Sequence, residues 1–170
     1  MKTLFWISFI AIFYIYIGYP VIAYVFSLCF NKPIRKGYIY PRLSILIAAY
    51  NEEANIEGKI KSILESDYPK DKMDVLIGSD GSSDRTNEII ARYEIASAAL
   101  RPRNDECFIK LYKQAQRQGK PSVLNMLAKE AKGEILVFTD ARQRIEKDAL
   151  KELIANFNDA SIGSVSAELY

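Results

Sequence analysis

The chain has 170 residues, about half of them hydrophobic, and a net charge of +2. That length suits one domain with a sizeable core, and that charge excludes bulk electrostatic binding of nucleic acid. With no histidine and only Cys29 and Cys107, it also excludes His-based triads, His-ligated zinc and a disulfide or thiolate framework.

The hydrophobic residues are unevenly spread. No charged residue occurs from Thr3 to Asn31. That run exceeds the roughly 20 apolar residues needed to cross a bilayer. It is rich in aromatics, with Trp6 near one end, where the membrane interface favours it. A cleaved signal peptide has a shorter apolar region and a small-residue cleavage site, and neither feature is present. A buried core helix is rarely apolar all round. Residues 1–31 are therefore expected to form a transmembrane anchor, with a kink at Gly18 and Pro20. Lys32, Arg35, Lys36 and Arg42 follow it, against Lys2 alone before it. The positive-inside rule then places the rest of the chain in the cytoplasm. Residues 32–42 read as a basic linker, which separates the anchor from a domain over residues 43–170.

In that domain, Leu43–Ala49 is a continuous apolar strand, suited to a sheet covered on both faces. Tyr50, Asn51, Glu52 and Glu53 end it. A helix follows with Ile56, Ile60, Ile63 and Leu64 on one face, broken at Tyr68-Pro69. Met73–Ser79 is a second strand closing on Asp80, Gly81, Ser82, Ser83 and Asp84, the last placed to cap the next helix. That helix carries Ile89, Ile90, Tyr93 and Leu100. Residues 101–105 form a loop, and Cys107–Tyr112 a third strand. Pro121 suits a first helical turn, and Val123, Leu124, Leu127 and Ala131 make that helix's apolar face. After Gly133, Ile135–Phe138 reads as a buried strand that empties into Thr139, Asp140, Ala141 and Arg142. Glu146–Phe157 is an amphipathic helix, with Leu150, Leu153, Ile154 and Phe157 in register. Ser161–Leu169 is expected to be a fifth strand. Strand–helix alternation predicts an α/β fold: a mostly parallel sheet with helices on both faces.

Neither G-x-G-x-x-G nor a P-loop occurs, so no glycine cradle holds phosphates. Acidic residues stand at strand ends instead: Glu52 and Glu53, Asp80 and Asp84, and Asp140. Open α/β sheets bind ligands at that end. Carboxylates accept hydrogen bonds from a base or ribose and hold hard cations. Lys120, Arg142 and Arg117 supply positive charge. The mixture suits a nucleoside diphosphate.

Ser44–Asn51 with Glu52 and Glu53, Ser79–Asp84, Gly119-Lys120 with Asn125, and Phe138–Ala141 stand in the order and spacing of family-2 glycosyltransferases. Over about residues 40–170 the chain resembles that family, which has the Rossmann-like GT-A fold. The resemblance implies transfer of a hexosyl-type sugar from a nucleotide-sugar donor, such as a UDP- or GDP-sugar. The acceptor would be a glycan or lipid at the cytoplasmic membrane face, with inversion at the anomeric carbon. Carried over by position, Ala49, Tyr50 and Glu52 would line the nucleoside pocket. Asp80 would contact the base, and Lys120 would lie near the diphosphate. Asp140 matches the first acid of the Asp-x-Asp motif, as ribose contact and metal ligand, with Mg²⁺ or Mn²⁺ implied by the family.

Two positions depart from the family pattern. Ser79 replaces the first Asp of an Asp-Asp pair, and Arg142 replaces the second acid of Asp-x-Asp. A guanidinium cannot ligate a cation. Arg142 is therefore expected to act at the leaving diphosphate by bidentate hydrogen bonds, or to turn to solvent while Asp140 holds a water-bridged ion.

Several of these residues also suit plain structural roles. Tyr50 could pack over a helix end, and Glu52 and Glu53 could favour a helix N-terminus. Ser82, Ser83 and Asp84 suit a turn and cap, and Lys120 a solvated surface. Asp80 and Asp140 are harder to place structurally, because a carboxylate beside a buried strand is costly unless paired. The family's acceptor base lies after the fifth strand, so the chain is expected to be a donor-binding half, incomplete at its C-terminus. The rival reading is a truncated, catalytically inactive, membrane-anchored nucleotide-sugar-binding module. A sugar nucleotidyltransferase is disfavoured, because no glycine-rich, arginine-containing loop follows the first strand.

Overall fold

The computed structural model describes residues 2–30, 33–99 and 108–167. Two compact units divide between Arg35 and Lys36.

The first unit is helical. Helix α1 (Lys2–Phe13) and helix α2 (Tyr19–Cys29) are joined by a π turn, Tyr14–Gly18. Together they form one 28-residue helix, Lys2–Cys29. Its length is about 42 Å at 1.5 Å per residue, more than the roughly 30 Å of a bilayer core. It is long and apolar enough to cross a membrane. The π turn ends two residues before Pro20. Pro20 has no N–H to give, and its ring displaces the carbonyl one turn back. The chain answers with a wider turn, in which the Tyr19 N–H donates to the Tyr14 carbonyl. A π turn thus stands just before the position where a kink was expected.

The second unit is a four-stranded, all-parallel sheet in the order β3-β2-β1-β4. In chain order its elements are β1 (Leu43–Ala49), α3 (Ile56–Leu64), β2 (Met73–Asp80), α4 (Thr86–Ala99), β3 (Phe108–Gln114), α5 (Lys120–Glu130), β4 (Ile135–Asp140) and α6 (Ala149–Ile154). Leu43, Ile45 and Ile47 of β1 point to one face, where α3 places Ile56, Ile60 and Ile63. Ile89 and Ile90 of α4 and Leu150 and Ile154 of α6 join the same core. On the opposite face Leu46 and Leu76 meet Val123 and Leu127 of α5. Strand alternation sends successive side chains to opposite faces, so both faces of β1 are dry. Helices on both faces and parallel strands agree with the expected α/β fold. Leu100, residues 101–105 and Cys107 lie outside the described residues.

Gly78 lets α5 approach the sheet. A Cβ there would come within 2.2 Å of Val123 Cγ1. Gly78→Ala should therefore destabilise the domain by about 1–3 kcal/mol, the usual cost of overpacking, as read by chemical denaturation.

Three expectations are corrected. Strand β4 is not buried on both faces: Leu136 is 38% and Phe138 57% exposed. β4 is an edge strand of the described sheet, and α5 packs over β1 and β2 instead. Residues 162–167 form no strand, and Leu169 lies outside the described residues. They line a groove with β4 and α6 rather than pairing with the free edge of β4. Finally, the α-helix expected over Glu146–Phe157 is confined to Ala149–Ile154 and ends in a 3₁₀ turn, Ala155–Asn158. The Asn156 side-chain amide donates to the carbonyls of Glu152 and Leu153, which closes the helix early.

The segment before β1 packs on this unit. The Gly37 N–H donates to the Ala155 carbonyl, and the Tyr38 hydroxyl to Glu152. Arg42 grips Asp74 with two hydrogen bonds, of 3.0 and 3.1 Å.

Candidate functional site

The chain turns from β1 through α3 to β2 on one side, and later returns through α5 to β4 on the other. The strand order therefore reverses between β1 and β4, and crevices form at the carboxyl ends of such a switch point. In register, Ala48 faces Asp140 and Ala49 faces Ser79. The exits of β1, β2 and β4 lie side by side.

The β1 and β2 exits are stitched together. Asn51 adopts a left-handed conformation (φ 51°), which asparagine tolerates. Its Oδ1 accepts the Ser83 N–H at 2.9 Å, and its own N–H donates to Ser82 Oγ. The Glu52 N–H donates to Thr86 Oγ1, and the Glu53 N–H to Asp84 Oδ2. Asp84 Oδ1 accepts the Thr86 N–H at the start of α4, as its capping position suggested. Glu53 accepts the Arg85 N–H, so it joins the two loops.

The remaining site residues divide into engaged pairs. Glu52 is almost buried; Oε1 accepts from Arg142 Nε at 2.7 Å, and Oε2 from Asn55 Nδ2 at 2.7 Å. Arg142 thus neither hangs in solvent alone nor stands free; it ties the β4 exit to the β1 exit. Its side chain is still 75% exposed. Lys120, the first residue of α5, donates to Asp140. Arg117 lies 4.2 Å over the Tyr50 ring, a cation–π contact. Ala49 is buried beneath. Asp80 is 4% exposed, and both its oxygens are engaged. They accept the N–H groups of Gln118 at 2.7 Å and Gly119 at 2.8 Å. Asp80 therefore holds the loop that presents Arg117 and Lys120.

The donor set is a poor match to a divalent ion. Among the described residues no group of three or more acidic, cysteine or histidine side chains could hold one. Asp140 is paired with an ammonium, and residue 142 offers a guanidinium.

One contributor escapes the sequence reading. Lys59 is fully buried on α3, and its Nζ donates to Thr139 Oγ1 at 2.6 Å. Burial pushes its pKa down to about 8, and the nearby Asp140 charge offsets that in part. Its position is a legible signal. Ile56, Lys59, Ile60 and Ile63 follow the i, i+3, i+4, i+7 stripe, so a lysine stands where an apolar side chain is due.

Comparison with known proteins agrees with this geometry. The sequence model of the family described as "Glycosyl transferase family 2" matches residues 44–169. A probable glycosyltransferase, YdaM, of Bacillus subtilis (strain 168) is 31% identical over 131 residues, covering 74% of this chain and 29% of that protein. The poly-beta-1,6-N-acetyl-D-glucosamine synthase of Staphylococcus aureus (strain COL) is 31% identical over 125 residues, covering 73% and 27%. The chain thus spans less than a third of the length of these curated relatives. Among solved structures, the mannosyltransferase PcManGT from Pyrobaculum calidifontis, in complex with GDP-Man and Mn²⁺, superposes with a TM-score of 0.71. It is 30% identical, over 91% of this chain and 44% of that one. TarS from S. aureus in complex with UDP gives 0.57 at 29% identity, over 67% and 31%. With its parallel sheet, its acidic strand exits and a family match over most of its length, the chain belongs to glycosyl transferase family 2 and has a GT-A-like fold.

Proposed function

We propose that the chain is the donor-binding part of a membrane-anchored glycosyltransferase that takes a UDP- or GDP-sugar. One observation carries this reading. Three carboxylates, Glu52, Asp80 and Asp140, and three cations, Arg117, Lys120 and Arg142, converge where β1, β2 and β4 end. Ala49, Tyr50 and Glu52 line the nucleoside side. Asp80 meets the base with the lone pairs that its two backbone bonds leave. Lys120 and Arg142 meet the diphosphate. The GDP-mannose and UDP bound by the two related structures support this assignment.

The reaction is an in-line displacement with inversion. An acceptor hydroxyl oxygen bonds to the anomeric carbon, and the bond to the diphosphate oxygen breaks. The electron pair leaves with the nucleoside diphosphate. Positive charge placed beforehand at that leaving group is the main aid the crevice offers. Among the described residues Glu52, Asp80 and Asp140 are all engaged, so the base that takes the acceptor proton is a separate group. The acceptor is a glycan or lipid-linked sugar. Helix Lys2–Cys29 anchors the chain, and the basic residues after it keep the domain cytoplasmic.

Titration calorimetry on the whole chain in detergent tests the donor side. UDP or GDP should bind in the micromolar range, and uridine or guanosine far more weakly. Absence of binding by both diphosphates would overturn the reading.

A further inference from the structure

Helix α3 supports the β4 exit through more than its apolar stripe. Lys59 reaches Thr139, and Ser62 Oγ accepts the Ile145 N–H at 3.2 Å. Gly58 lies so close under Arg144 that a Cβ there would come within 2.7 Å of Nη2. Of these contacts, the one made by Lys59 is the least economical for folding alone. An ammonium 1% exposed is costly unless paired. Among the described residues its one hydrogen-bond acceptor is a neutral hydroxyl. An apolar side chain would fill the same stripe position without that cost.

Strand alternation suggests a use for the charge. Thr139 and Asp140 point to opposite faces of β4. Thr139 meets Lys59 from α3 on one face, and Asp140 meets Lys120 from α5 on the other. Asp140 therefore pairs directly with Lys120 and feels the Lys59 charge across the strand, and the cluster carries a surplus positive charge. Glu52 and Arg142 already neutralise each other. If Lys120 leaves Asp140 for an incoming phosphate, the nearby Lys59 charge still offsets part of the carboxylate's. Without Lys59, Lys120 would be the nearest positive charge left to Asp140, and the exchange would strip the carboxylate of its counter-charge.

We propose that Lys59 is a positioning residue for the donor diphosphate: its buried ammonium fixes the Thr139–Asp140 exit and releases Lys120 to bind phosphate. This rests on the nucleotide-sugar reading above. Its low pKa agrees with a charge kept in an unfavourable place for a reason other than stability.

The test compares the wild-type chain with Lys59→Met and Lys59→Gln in detergent, by calorimetry with UDP, GDP and the matching nucleosides. Lys59→Gln keeps a donor for Thr139 but removes the charge. Both variants should lose about tenfold or more in affinity for the diphosphate that the wild type binds. Nucleoside affinity should stay within twofold. Lys59→Met should melt at or above the wild-type temperature, which separates lost binding from lost folding. Wild-type affinity in both variants would overturn the inference while leaving the nucleotide reading intact, as would equal loss of nucleoside and diphosphate. Absence of diphosphate binding by the wild type would overturn both.

Discussion

Asp80→Ala should lower the stability of the domain by about 3 kcal/mol and abolish nucleotide binding in the same step. The Asp80 carboxylate is buried and accepts two backbone N–H groups at 2.7 and 2.8 Å. Such bonds to a charged acceptor contribute more than neutral ones, and each buried donor left unpaired costs about 1–3 kcal/mol. Relief of carboxylate desolvation offsets part of the sum. The lost bonds hold Gln118 and Gly119, and Gly119 has φ +90°, a conformation that other residues rarely adopt. Arg117 lies just before this loop, over Tyr50, and Lys120 just after it, on Asp140. Release of the loop therefore disperses the positive half of the crevice. Asp80→Asn, with one carbonyl oxygen in place of two acceptors, should fall between wild type and alanine. Urea denaturation reads the first effect, and calorimetry with UDP or GDP the second. If Asp80→Ala loses stability but binds diphosphate within twofold of wild type, this loop does not belong to the site.

Asp80 also shows why a site is harder to read in a sequence than a fold. Apolar runs and helical spacing are local, so β1, β2, α3 and α5 were legible with bounds close to those observed. A carboxylate at a strand end is equally visible, but its partners are not. Gln118 lies 38 positions away, and Arg142 lies 90 positions from Glu52. The structure makes Asp80 a loop anchor first, with any contact to a base limited to its remaining lone pairs.

The apolar run of β4 misled in another way. Ile135–Phe138 resembles the run in β1, yet Phe138 is largely exposed. Composition reports that a strand can be buried on both faces, whereas the position of α5 over β1 and β2 decides whether it is. Lys59 is the opposite case. Its place on the α3 stripe was readable, and only the strand it reaches, 80 positions on, gives it meaning.

Chelation should leave donor binding and hydrolysis by the wild-type protein unchanged, whereas Arg142→Ala should cut hydrolysis by about a hundredfold. The family relative solved with GDP-mannose also holds Mn²⁺, so the general fold is no bar to a metal. What differs here is residue 142. Its Nε is committed to Glu52, which fixes the plane of the guanidinium at the β1–β4 junction. Among the described residues the two terminal nitrogens make no hydrogen bond, and the side chain is mostly exposed. A planar fork so held can meet two phosphate oxygens at once. The guanidinium is mostly exposed but Glu52 is not, so Arg142→Ala should lower the melting temperature modestly, with Glu52 still held by Asn55 and the domain folded. The loss should therefore appear in the rate, as expected when charge at a leaving group is removed: a hundredfold corresponds to about 2.7 kcal/mol of transition-state stabilisation. Arg142→Asp supplies the reverse test, because it rebuilds Asp-x-Asp beside Asp140 and frees Lys120 and Asp140 to divide between phosphate and cation. Activity of that variant should return only with Mn²⁺ or Mg²⁺. Should chelator silence the wild type and either ion restore it, Arg142 does not replace the metal, and Asp140 holds the ion despite its pairing with Lys120.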